Sequence, residues 1–131
     1  GEAKTMKIRI LDLSGIGAEA VKREMWLIED NEEIRKAYEK AAQAPEELEA
    51  AQCFANVVDK FFGYQAAGIL LPHRSRALFE EILIDQLTDK GIFVFVREGG
   101  EFVCVQEQFK EQVFFNRGAH VEKKRLSTIT Q

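Results

Sequence analysis

The residues best suited to chemistry stand together at His73-Arg74-Ser75-Arg76. Two guanidinium groups, a hydroxyl and an imidazole are donors for a phosphate or a carboxylate. The stretch falls between a predicted strand and a predicted helix. Free backbone N–H groups and the positive end of the helix dipole favour anions at such a junction. His73, Arg74, Ser75 and Arg76 are therefore the anion-binding candidates. The same four residues also read as an ordinary helix start, with Ser75 as the N-cap and the arginines pairing with Glu80 and its neighbours. No Walker-type glycine loop accompanies them.

His73 and His120 would make an acid–base or metal pair if the fold brought them together. Zinc needs further ligands, and spacing nominates none. Cys53 and Cys104 fit no metal-ligand pattern. Both sit among apolar neighbours and read as buried free thiols of a reducing compartment. Gly-x-Ser-x-Gly is absent, so no serine stands in a nucleophile motif. Ser14-Gly15-Ile16-Gly17 follows a predicted strand as a phosphate loop would. It lacks the third glycine of a dinucleotide fingerprint and the lysine of a P-loop, so it reads as a turn. No cofactor and no metal is expected.

The elements that must position these groups follow from periodicity. Residues 6–13 alternate as a strand, with Ile8 and Ile10 on one face and Leu11 and Leu13 on the other. Ala18, Val21, Met25 and Ile28 recur at helical spacing, so a helix is expected over 18–28. Asp30 followed by Glu33 has capping-box spacing and predicts a helix over 32–44. Pro45 separates it from a helix over 46–62, whose broad apolar stripe ends at Gly63. Residues 66–71 read as a buried strand and 75–90 as a further helix, with Glu80, Glu81, Asp85 and Asp89 on its outer face. Two apolar runs then flank Arg97-Glu98-Gly99-Gly100-Glu101, which predicts a β-hairpin covered on both faces. Val113-Phe114-Phe115 can add a strand or short helix. The expected fold is α+β: a mixed or mostly antiparallel sheet, in the order strand, helices, strand, helix, hairpin, packed against its helices.

A second set of candidates concerns nucleic acid. From Arg76 to Val105 the order helix, glycine, two-stranded ribbon resembles that of winged-helix DNA-binding domains. The resemblance covers under a third of the 131 residues. It implies that residues 75–90 are the recognition helix and the hairpin the wing. Arg74, Arg76, Arg97 and the basic tail residues Lys123, Lys124 and Arg125 would then meet the phosphates.

Composition narrows the classes. The formal net charge is -4, so bulk charge favours neither nucleic acid nor an anionic membrane. With 46% hydrophobic and 31% charged residues the chain is globular rather than disordered. Its length suits one domain over 1–131, with mobile ends over about 1–5 and 122–131. No apolar run reaches the roughly 20 residues that span a bilayer, and no signal peptide is visible. A cytoplasmic location is the expectation. The Phe-rich strands and the broad helical stripe offer more apolar surface than one small core covers. The first functional reading is therefore a non-enzymatic protein that binds another protein or itself. The alternatives are a winged-helix-like nucleic-acid-binding regulator and a binder of a phosphorylated or carboxylate small molecule at residues 73–76.

Overall fold

The computed structural model of the chain describes residues 7–16 and 26–107. Its first strand, β1 (Ile8–Asp12), pairs in parallel with β2 (Trp26–Glu29) and with β3 (Ala67–Leu71). β4 (Phe93–Glu98) is parallel to β3, and β5 (Glu101–Cys104) is antiparallel to β4. The result is a mixed five-stranded sheet in the order β2-β1-β3-β4-β5, within an α+β domain. Trp26–Glu29 corrects the helix expected over 18–28. Trp, Leu and Ile suit a pleated strand, and the backbone pairing Ile8↔Trp26 to Leu11↔Glu29 decides the conformation. Residues 18–25 lie outside the described residues.

Helices α1 (Glu32–Gln43) and α2 (Glu47–Phe62) carry the chain from β2 to β3, and α3 (Ala77–Asp89) carries it from β3 to the parallel β4. Asn31, not Asp30, caps α1. Its backbone is extended, and its side-chain oxygen accepts the Ile34 N–H at 3.0 Å. Asp30 pairs instead with Arg35 at 2.7 Å. All three helices share one core with the sheet face made by Leu11, Leu13, Ile69, Leu71, Val94 and Val96. The opposite face, with Ile8, Ile10, Leu70, Phe93 and Phe95, is buried as well. A sheet buried on both sides explains why β3 and the apolar part of β4 read as unbroken hydrophobic runs.

Three local devices hold the sheet. Gly68 in β3 lets Phe93 approach so closely that an added Cβ would lie 3.0 Å from Phe93 Cβ. Gly99 and Gly100, with φ of 57° and 88°, make the two-residue turn between β4 and β5. Beyond the end of β5 the buried Gln106 side chain satisfies backbone that no strand reaches. It accepts from Val94 N–H at 2.7 Å and donates to Ile92 O at 2.8 Å. At the opposite edge Arg9 makes a two-pronged pair with Glu29, at 2.5 and 2.8 Å, and stacks its guanidinium over Phe61 at 4.9 Å.

Further expectations change. The winged-helix order is not the architecture found. α3 is the crossover of a parallel β3-α3-β4 unit, and the supposed wing is the edge of a five-stranded sheet. In β5, Glu101 and Val103 are exposed, so that strand is an edge rather than a covered one. Cys104 is buried as expected, but Cys53 is exposed on α2, because the core side of that helix runs through Ala51, Phe54, Ala55 and Val58. Val113-Phe114-Phe115, His120 and the basic tail Lys123, Lys124 and Arg125 lie outside the described residues. Among the described residues no helix is long and apolar enough to cross a membrane.

Candidate functional site

From β1 the sheet grows outward to β2, and then in the other direction through β3 to β4 and β5. The direction therefore reverses between β1 and β3. In open sheets of parallel strands, the loops at such a reversal part and leave a crevice at the carboxyl ends of the strands. A cleft of about 480 Å³ lies there. Its walls are the loop after β1, the loop after β3 and the facing side of α1.

The loop after β1 is shaped by Asp12. This buried carboxylate accepts from the Ser14 backbone N–H at 2.9 Å and from the Ser14 hydroxyl. The pattern is a side-chain-closed turn, which Gly15 continues with φ of 76°. Ser14 and Gly15 thereby line the cleft.

The loop after β3 carries the four candidates, and the fold divides them. His73, Ser75 and Arg76 line the cleft. Arg74 does not: it bridges Glu80 at 2.6 Å and Glu98 at 3.1 Å. His73 Nδ1 lies 2.8 Å from the Arg74 carbonyl oxygen. A carbonyl only accepts, so Nδ1 carries the proton and Nε2 is left for another partner.

Ser75 is not the cap of α3. That position belongs to Arg76, with no side-chain cap hydrogen bond. Glu80, expected on the outer face, is buried and reaches back, accepting the Ser75 backbone N–H at 2.9 Å. The anion that favours the start of α3 is thus supplied by the protein itself, with Arg74 as its counterion. An external anion has to be held by the cleft's side chains. Arg76 is fixed by Ala44 O at 2.7 Å and Glu47 at 3.5 Å. Each guanidinium has five N–H donors, so Arg76 keeps further capacity.

Three residues that the sequence did not single out come from α1. Arg35, Tyr38 and Glu39 are spaced to share one helical face, and all three border the cleft. Tyr38 is 2% exposed, its ring held 5.4 Å from Phe54 and 6.2 Å from Phe79. Its hydroxyl and that of Ser75 are both buried and lie beside one another, with no partner beyond each other. Burial pushes the Tyr38 pKa up. A hydrogen bond with the Ser75 hydroxyl offsets part of this shift, and the Glu80 charge adds to it. Helical spacing from Arg35 was the available signal; nothing local connected it to residues 73–76.

Among the described residues no group of three His, Cys, Asp or Glu side chains is placed to hold a metal. Arg97 is exposed on β4, away from the cleft lining. Comparison with family models, curated proteins and solved structures gives no match.

Proposed function

We propose that the protein binds a small phosphate- or carboxylate-bearing molecule in the cleft between the carboxyl ends of β1 and β3. The observation that supports this reading is the convergence there of Arg35, His73 and Arg76 with the hydroxyl of Ser14. A ligand site is favoured at a point where the strand order reverses. The cleft's volume, about 480 Å³, falls in the range of small-molecule sites. Arg35 has one described partner, the exposed Asp30, so its remaining donors can serve a ligand.

Thermal melting with inorganic phosphate, citrate and a mononucleotide, on the full chain and on Arg35→Ala, tests the reading. A ligand at about 100 times its Kd raises stability by about 2.7 kcal/mol, a shift on the order of 10 °C for a domain this size. The shift should shrink in Arg35→Ala, whose side chain is not part of the core. Unchanged melting with all three anions would remove the proposal.

Binding of another protein is the second reading. An apolar groove of about 280 Å³ between α1 and α2 is lined by Ala41, Ala50, Cys53 and Val57. Leu48 and Val57 stand exposed on α2. A concentration-dependent mass in sedimentation would support self-association through that groove, and loss of the effect in Val57→Lys would localise it.

A further inference from the structure

We infer that the chain's own segment after Glu107 docks on the sheet face turned away from the three helices, with Phe109, Val113 and Phe114 as its anchors. That face is apolar and closed to water: Ile10, Leu70 and Phe93 are 0% exposed and Phe95 is 2% exposed. Among the described residues, no side chain of α1, α2 or α3 joins the cluster they form. All three helices pack on the other face. An apolar sheet face that excludes water needs a second layer against it. The rest of the chain that can supply one is residues 1–6, 17–25 and 108–131.

Handedness divides this face. The chain crosses the sheet in one direction from β2 to β3 and from β3 to β4, with its helices on one side. From β1 to the parallel β2 it moves the opposite way. A right-handed crossover therefore carries the β1–β2 connection over the other side, the face in question. Strands lie about 4.8 Å apart and a helix is about 10 Å across, so one covering element spans about two strands. The β1–β2 connection suffices for β1 and β2, and leaves Leu70, Phe93, Phe95 and Cys104 to another segment. Residues 1–6 bring only Ala3 and Met6 as apolar side chains. Residues 108–131 begin beside the part still to be covered, because Gln106, just past β5, is fixed to Val94 N–H and Ile92 O. Phe109 and Val113 stand one helical turn apart, Phe114 and Phe115 follow, and Lys110, Glu111 and Gln112 between them are polar. The Phe-rich strands are thus covered within one chain, and this face is not offered to a partner.

Cys104 lies on this face at 9% exposure and reports its cover. The experiment measures the rate at which a thiol reagent modifies Cys104 in the full chain carrying Cys53→Ser, a change at an exposed position. Cys104 should react slowly, at a rate independent of protein concentration. Phe109→Ala and Val113→Ala should each speed it about tenfold or more, and Lys110→Ser should leave it unchanged. Val58→Ala weakens the core on the other face and gives the acceleration that lost stability alone produces. Segment variants that speed the reaction no more than Val58→Ala does would overturn the inference. Protection that grows with protein concentration would overturn it in favour of a second copy. Fast reaction in the Cys53→Ser parent would overturn it too, and would leave the face open to a different protein.

Discussion

Glu80 holds the candidate loop in shape, and removing its carboxylate should show this in a graded way. The side chain is 7% exposed and accepts from the Ser75 backbone N–H at 2.9 Å while pairing with Arg74 at 2.6 Å. A hydrogen bond to a charged group contributes about 1.5–3 kcal/mol. Arg74 is 52% exposed, so water screens the ion pair and its share is held to about 1 kcal/mol or less. Glu80→Ala loses both and leaves the Ser75 N–H without its acceptor, for a total of about 2–4 kcal/mol. Glu80→Gln keeps an acceptor of the same shape and loses only the charge, so about 1–2 kcal/mol is expected. Urea denaturation measures both, and an unchanged slope shows that the midpoint shift reflects stability alone. The Ala variant should also show a smaller melting shift with inorganic phosphate than the parent if the proposed anion site is correct, because His73, Ser75 and Arg76 lose their fixed loop. A Glu80→Ala protein within about 0.5 kcal/mol of the parent would refute the reasoning. So would a Gln variant as unstable as the Ala variant.

Other positions give further expectations. Gln106→Ala orphans the Val94 N–H and the Ile92 carbonyl, both hydrogen-bonded to its side chain inside the sheet edge, and should cost about 2–5 kcal/mol in guanidinium chloride unfolding. Gly68→Ala places a Cβ 3.0 Å from Phe93 Cβ and 3.1 Å from its carbonyl oxygen, so overpacking should cost about 1–3 kcal/mol in a thermal melt. Burial raises the folded-state pKa of Tyr38 above the ordinary value of about 10. The unfolded chain then releases this proton first. The stability linked to it is present below pH of about 10 and is lost as pH climbs through the folded value. The alkaline fall in unfolding midpoint should be shallower in Tyr38→Phe, and an equal fall in both proteins would remove Tyr38 as its source.

Much of the local structure was legible in the residues themselves. α1 and α2 lie within a residue of their expected bounds, because helical periodicity and a stop such as Gly63 act over a few neighbouring positions. The hairpin was legible for the same reason: Gly99 and Gly100 accept the positive φ of a tight turn. The position of residues 73–76 between a strand and a helix was also read correctly. The tertiary structure decided the rest. Trp26–Glu29 became a strand because β1 offered an edge to pair with, an interaction that helical spacing over 18–28 does not register. Glu80 turned inward because Ser75 N–H and Arg74 together satisfy its carboxylate. The cleft depends on the reversal of strand order between β1 and β3, which sets Ser14, Arg35 and Arg76 around one space. Periodicity and composition report what each segment can become with its neighbours. Which segments meet, and hence which polar groups face one another, is set by backbone pairing and burial across the whole chain.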